Sequence, residues 1–378
     1  MNKKIFTIRA KDLVTVGTLH AAGNNTNGAL GMGDKTMSYT GIIRSRVLPK
    51  TVKDISGGMY YGVILFNDGT IQTWGDNSSG QLGMGNTTNY NGAICTPSVS
   101  NVKEIACGGL GTLLLLNDGT VKAFGSNYYG QLLNITDPTY NGGWIVDLPF
   151  TNVKQVGLND YTAIILLNDG TVRTYGTNDY KGLLGLGNNT SQPISIYTPS
   201  FTGVKEISTC GQNAFLSLNN NSTIKMFGSD DFGEWGVGYR IPWNSYYGTI
   251  ETQSYTNFKK IWSLNRTSFI QYTNNTVYSC GYNSNGQMMV GSNFYTEYSW
   301  TSVPLSNIVD IRGGIGSHTL ALLSDGTLRS SGYNDSGQLL TNNTNMTAGI
   351  KTPSLTNVKA FFASNGLSYA YTESTMYV

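Results

Sequence analysis

The chain has 378 residues, a formal net charge of +2 and only 12% charged residues, about half the usual share of roughly 25%. Low charge together with 24 Tyr and 6 Trp excludes a disordered chain, which carries few aromatics and much charge. Near-neutrality without a dense basic run argues against nucleic acid as the partner, and no segment approaches the ~20 apolar residues of a membrane span.

The first residues, Met1 to Arg9, place Lys3 and Lys4 before a short apolar run. That run ends at Arg9, too early for a secretory leader. The expectation is a soluble protein without signal peptide or membrane insertion, cytoplasmic or part of an extracellular particle. Thr18-Leu-His-Ala-Ala-Gly23 then reads as a strand running into the first of seven similar loops.

From there the chain repeats. Gly-x-Asn-x-x-Gly, or a close variant, starts at Gly23, Gly75, Gly125, Gly176, Gly228, Gly281 and Gly332, in steps of 52, 50, 51, 52, 53 and 51 residues. A beat that steady is the mark of a repeat architecture. Each unit opens on an alternating strand: Val52-Lys-Asp-Ile55, Val102-Lys-Glu-Ile105, Val153-Lys-Gln-Val156, Val204-Lys-Glu-Ile207, Phe258-Lys-Lys-Ile261, Ile308-Val-Asp-Ile311 and Val358-Lys-Ala-Phe361. An apolar strand follows, as at Val63–Phe66, Leu113–Leu116, Ile164–Leu167 and Leu320–Leu323. Next comes Asn-Asp-Gly-Thr or a relative, at Asn67, Asn117, Asn168 and Ser324, with degenerate copies at Asn220 and Thr273. Asp-Gly between apolar runs predicts a type I′ hairpin, with positive φ at both central residues. The third strand alternates, as in Thr120-Val-Lys-Ala-Phe124 and Thr171-Val-Arg-Thr-Tyr175, which buries one face. A proline a few residues before most of these opening strands (Pro49, Pro97, Pro149, Pro199, Pro304, Pro353) suits an outer edge strand or its entry.

Four strands in about 51 residues make one propeller blade. The predicted fold is an all-β, closed seven-bladed β-propeller of four antiparallel strands per blade, with no helical period anywhere. Residues 1–378 form a single propeller, in which segments 1–23 and 358–378 share the closing blade. The last unit ends Thr375-Met-Tyr-Val378 without a Gly-x-Asn loop, and the chain start supplies one. Closure removes the free edges that invite aggregation.

The run Asn117-Asp-Gly-Thr-Val-Lys-Ala-Phe-Gly-Ser-Asn-Tyr-Tyr-Gly-Gln-Leu132 resembles a repeat of the regulator-of-chromosome-condensation (RCC1-like) family, as does Asp68–Gly83. The likeness extends over nearly the whole chain. Its departures are local: Ala29, Leu183 and Glu234 stand where the repeat has Gln, Lys181 is an insertion, and the hairpins at Asn220 and Asn274 lack Asp-Gly. The resemblance implies a binding propeller, such as an enzyme inhibitor or interaction scaffold. As an alternative it implies a guanine-nucleotide exchange factor-like regulator with chromatin contact. The family's functional residues lie outside the repeat motif, so none is carried over.

Asp68, Asp118, Asp169 and Asp325 recur at one repeat position and read as turn residues rather than a metal ring. The Gly-x-Asn loops lack the following helix that a phosphate site needs. Cys95, Cys107, Cys210 and Cys280 form no paired motif and read as free thiols. His20 and His318 read as structural. Residues 1–54 hold nine Lys/Arg against three acids, a +6 segment that leaves −4 for the remainder; without a dense run it reads as solvated surface. No catalytic residue, metal site or cofactor is expected, and the chain is not read as an enzyme.

The variable connections remain. The third contains Thr139–Trp144, the fifth Val237–Thr249 and the sixth Asn293–Trp300. Their aromatics, with those of neighbouring loops, form the candidate binding set: Tyr128, Tyr129, Trp144, Tyr180, Phe232, Trp235, Tyr239, Trp243, Tyr246, Tyr247, Tyr295 and Trp300. Tyr and Trp with Ser, Gly and Asn match the make-up of recognition surfaces; packing between blades is the other explanation. The expected role is a non-catalytic protein that presents these loops to a protein partner. Composition suggests a bacterial or phage surface or particle component. Carbohydrate is the alternative ligand, since aromatic rings stack on sugars. The oligomeric state is left open.

Overall fold

The apolar second strand of each unit decides the architecture. Tyr61–Phe66 and Gly111–Leu116 are buried at every position, so both of their faces need cover. A single sheet covers neither. Neighbouring sheets stacked face to face cover both, and the core clusters are accordingly shared between units: Tyr61, Val63 and Leu65 pack with Ile105, Leu114 and Phe124.

The computed structural model describes residues 13–36, 41–130, 132–133, 143–179, 181–239, 248–314, 317–345 and 349–377. They form seven antiparallel sheets, the blades of one β-propeller. Blade 1 joins both ends of the chain, and blades 2 to 7 follow at 52–95, 102–148, 153–197, 204–254, 258–302 and 308–351. Blades 1, 3, 5 and 6 have four strands. In blades 2, 4 and 7 the outer strand is a single bridge, Thr73 to Cys95, Thr174 to Tyr197 and Ser330 to Lys351. No α-helix occurs among the described residues, only a 3-10 turn at Thr26–Gly28.

In blade 1 the strand Leu13–Gly23 pairs with Leu367–Tyr377 along all 11 residues, with Thr18 opposite Thr372 and Thr15 opposite Thr375. His20 bridges this sheet, its Nδ1 2.7 Å from Ser45 Oγ and its Nε2 2.9 Å from Thr372 Oγ1. Burial lowers its pKa, which keeps the ring neutral and able both to donate and to accept. His318 is likewise structural: it is buried, and its Nε2 lies 2.8 Å from Ser368 Oγ, tying blade 7 to blade 1.

The hairpins differ from the type I′ expectation. Gly69, Gly119, Gly170 and Gly326 have φ of 77° to 82°, whereas none of the preceding Asp residues has a positive φ. Gly69 N donates to Phe66 O at 3.0 Å and Phe66 N to Thr70 O at 2.9 Å. That is a three-residue loop with glycine at the left-handed position. The Asp side chain caps it: Asp68 Oδ1 accepts from Thr70 N at 3.0 Å and Thr70 Oγ1 at 2.6 Å. In the degenerate copies Asn221 and Asn275 take the positive φ, and Asn220 and Asn274 do the capping. The recurring carboxylates are thereby accounted for as turn chemistry.

The Gly-x-Asn loop rests on two requirements. At the end of the third strand, Gly75 has φ 103°, and a Cβ there would lie 2.3 Å from Tyr60 O. Two residues on, a buried amide closes the loop. Asn77 Oδ1 accepts from Leu82 N at 3.0 Å, and its Nδ2 donates to Asn86 O at 3.0 Å and Thr88 O at 2.9 Å. Asn25, Asn178 and Asn334 repeat all three bonds. Asn77→Ala strips the buried Leu82 N–H and two part-buried carbonyls of their partner, and a buried group left unpaired costs about 1–3 kcal/mol. With partial relaxation the expected loss is about 2–4 kcal/mol, measured as a fall in the urea midpoint at unchanged m-value.

Candidate functional site

Strand order gives the propeller two unlike faces. The Asp-Gly hairpins lie on one, the hairpin face. The turns between first and second strands, and the Gly-x-Asn loops, lie on the other, the loop face. Between the faces runs a central channel lined by the first strands.

The lysines that open the first strands, such as Lys53, Lys154, Lys205 and Lys259, are exposed on the hairpin face. They serve neighbouring backbone and turns: Lys53 Nζ donates to Lys103 O at 2.8 Å, Lys154 Nζ to Lys205 O at 2.7 Å, Lys205 Nζ to Asn221 Oδ1 and Lys259 Nζ to Asn275 Oδ1, both at 2.8 Å. In the basic N-terminal segment, Arg44 pairs with Asp34 and Lys50 with Asp68 at 2.6 Å. These cations are engaged in structural contacts.

The channel holds a cavity of about 350 Å³, with Asp54, Glu104, Glu206, Lys260, Asp310 and Arg312 near its hairpin end. Arg312 Nε donates to Asp310 Oδ2 at 2.8 Å, and its NH2 lies 3.6 Å from Asp54 Oδ1. Lys260 Nζ is 3.1 Å from Asp310 Oδ1, which also accepts from Trp262 Nε1 at 2.7 Å. Against the penalty of burial, Arg312 and Lys260 bring Asp310 down to about 2. Asp54 is raised by burial, with Arg312 offsetting part of it. Burial raises Glu104 to about 7, opposed by a hydrogen bond from Val156 N. The channel thiols are poor nucleophiles, since burial pushes Cys107 to about 11 and Cys210 to about 12 and only a thiolate attacks.

On the loop face two aromatic clusters share one construction: a Gly-x-Asn loop leans on the inner turn of the next blade. Tyr128 and Tyr129 of blade 3 meet edge to face at 4.8 Å, and Tyr129 meets Tyr161 of blade 4 at 4.8 Å. Phe232 of blade 5 lies 5.1 Å from Tyr282 and 6.4 Å from Tyr295 of blade 6, and Tyr282 lies 5.6 Å from Tyr295. Arg266, on the inner turn of blade 6, covers the Phe232 ring at 4.9 Å. Beside the first cluster, burial raises Asp160 to about 6, while Gly109 N donates to it at 3.0 Å.

The sequence-predicted residues therefore separate. Tyr128, Trp144, Tyr239 and Tyr295 are 59–68% exposed, and Tyr129 is 36% exposed. Phe232 is half-buried inside its cluster. Trp235 is a correction: it is fully buried against Phe215, Ile224 and Ile261 and belongs to the core. Trp300 is partly buried, donates to Tyr255 OH at 2.9 Å and packs over Gly236, so it mainly joins two blades. Trp144 lies over Gly85 of blade 2, away from both clusters' ring contacts. Tyr180, Trp243, Tyr246 and Tyr247 lie outside the described residues. Sequence reading missed Tyr161, Tyr282 and Arg266. For Tyr161 and Arg266 the signal was available in the repeat register, which places the inner-turn residue of one unit beside the loop of the unit before; Tyr282 is the middle residue of its own Gly-x-Asn loop.

The RCC1 (regulator of chromosome condensation) repeat model matches residues 52–81, 102–131 and 308–338, and a second RCC1 repeat model matches 68–115. Over 245 residues the chain is 36% identical to the X-linked retinitis pigmentosa GTPase regulator of Homo sapiens, covering 62% of this chain and 23% of that protein. The chain spans about a quarter or less of the length of the curated relatives it matches. Prp20p of Saccharomyces cerevisiae, described with binding properties to Gsp1p and histones, aligns with TM-score 0.81 at 15% identity over 96% of this chain and 92% of that one. Human WBSCR16 aligns with TM-score 0.79 at 16% identity over 95% and 99%.

The channel network predicts a pH response. Asp310 is depressed in the folded state relative to about 3.9 in an unfolded chain, so its contribution is present above pH ~4 and is lost as pH falls toward 2. Arg312→Met removes most of that depression. Acid unfolding of the variant should begin at higher pH than wild type, with a loss of about 1–2 kcal/mol at pH 7 after screening by channel water; urea titrations between pH 2 and 7 measure both.

Proposed function

On the premise that the chain is an RCC1-like repeat β-propeller, we propose that it is a non-catalytic binding protein whose loop face docks a protein partner. The observation behind this reading is the pair of aromatic clusters on one face, Tyr128–Tyr129–Tyr161 and Phe232–Tyr282–Tyr295 with Arg266. Tyr and Arg are over-represented among residues that dominate binding energy. Here they stand on loops held from beneath by buried side chains, Asn127 under Tyr128 and Tyr129 and Asp230 with Glu234 under Phe232, which lowers the ordering left to be done on binding. Tyr239 and Trp144 are further exposed aromatics along the variable connections. The relatives favour a protein ligand over carbohydrate: one is named a GTPase regulator and another is described by its binding to Gsp1p and histones. The compositional hint of a phage or bacterial particle component finds no support among them.

Tyr128→Ala and Tyr295→Ala should each weaken capture of host proteins about tenfold or more with thermal stability nearly unchanged. Trp235→Ala should instead destabilise by about 3–5 kcal/mol, as a core truncation. Unchanged capture by both surface variants would remove the loop face as the site. Faster nucleotide release from a small GTPase on adding the protein would favour the exchange-factor reading, and glycan binding without a protein partner the carbohydrate one.

A further inference from the structure

In six blades a buried Asn stands at the loop-closing position: Asn25, Asn77, Asn127, Asn178, Asn283 and Asn334. Blade 5 has Asp230 there, and four residues later Glu234 replaces the Gln seen at Gln81, Gln287 and Gln338. Both carboxyl side chains are 2% exposed. They reproduce the accepting half of the amides: Trp235 N donates to Asp230 Oδ1 at 2.8 Å, and Phe232 N to Glu234 Oε2 at 2.8 Å. The donating half is missing. Asp230 Oδ2 is buried and has no hydrogen-bond partner among the described residues, at the position from which Asn77 and Asn334 each donate to two carbonyls. A carboxylate cannot donate; a carboxylic acid can, through its O–H. The weight falls on Asp230, because Gln287 and Gln338 leave Nε2 unpaired and the amide of Glu234's counterparts is not always used.

The surroundings disfavour charge. Asp231 and Glu251 face Asp230, Asp231 also faces Glu234, and Glu297 and the raised Cys280 thiol lie on blade 6. Lys181 Nζ is engaged with Asp231 at 2.6 Å, and Arg266 lies over Phe232. Burial and the neighbouring acids raise Asp230 to about 7 and Glu234 to about 8.

We propose that Asp230 and Glu234 form a proton-operated latch: protonated, they close the blade 5 loop as the amides close the others, and on ionising they loosen it together with the Phe232 aromatic cluster. The latch deepens the binding reading above, on which its effect on a partner rests. The sign follows from linkage. Two acids with folded pKa values above the unfolded ~4 hold extra protons in the folded state, so the loop is tightest in acid. Its protection falls as pH rises from ~4 through about 8, then levels off.

The test needs no partner, so it stands apart from any failure of the binding reading. Hydrogen exchange of the 228–237 peptide in the full chain is followed from pH 5 to 9, corrected for intrinsic exchange, with the 75–84 peptide of blade 2 as internal control. In wild type the opening constant of 228–237 should rise at least tenfold between pH 6 and 9, consistent with up to tenfold per pH unit for each proton released, while 75–84 stays flat. Asp230→Asn with Glu234→Gln should flatten 228–237, and Asp230→Asn alone should lower its slope. A wild-type profile as flat as the control, or one unchanged by Asp230→Asn, overturns the proposal. So does recovery of protection at pH 8 on adding Ca²⁺, which would assign the carboxylates to a metal instead of protons. Should the double variant fold poorly, the single variant's thermal midpoint decides: a gain over wild type that grows from pH 5 to pH 8 supports the latch, and a loss at every pH contradicts it.

Discussion

The structure depends on a side-chain amide placed where water cannot reach it. Asn77 and its counterparts each bind one backbone N–H and up to two backbone carbonyls. A buried backbone group without a partner costs about as much as a lost hydrogen bond, and the irregular chain between the third and outer strands would leave several. In six of the seven blades one buried amide meets that need locally, so the loop keeps its shape without a helix. The positive-φ glycine before it lets the loop leave the sheet, as at Gly75. With the loops fixed, the next blade can lean on them: Trp74 fills the space over Gly31, and Trp300 that over Gly236. Blade stacking and loop closure are thus one construction repeated around the ring.

That construction separates structural chemistry from binding chemistry. The hairpin-turn carboxylates cap turns, the first-strand lysines engage carbonyls and Asn side chains, and the channel ions largely neutralise one another around Asp310 and Arg312. What is left over stands on the loop face, in positions where successive blades differ: tyrosines at 128 and 129, Phe232 at the same place in blade 5, and serines there in blade 2. A rigid ring that varies only its loops can change partner without changing fold.

Most of the fold was legible in the sequence because the repeat states it seven times. Strand order, blade count and the closing blade all follow from one unit and its register. The turn type was misjudged for a physical reason: Asp-Gly is compatible with two loop lengths, and the choice between them lies in whether the Asn before it joins the ladder or the loop. The candidate site was legible only in part. Tyr128 and Tyr295 are on loop tips, where composition is informative. Trp235 is equally aromatic and close in sequence to Phe232, yet it follows the loop-closing residue and turns inward to the core. Composition cannot separate the two; repeat position can, since the same place holds buried Leu82 and Leu339 in other blades. The same comparison would have singled out Asp230, the one carboxyl among seven loop-closing side chains.

The loop face, rather than the channel or the hairpin face, is the proposed docking surface. Hydrogen-exchange footprinting of the full chain with and without a captured partner tests it directly. New protection is expected at 126–130, 161–162, 229–233, 266 and 282–296, with the hairpins near Asp68, Asp118 and Asp325 unchanged. Protection confined to those hairpins, or to the first strands that line the channel, would contradict it.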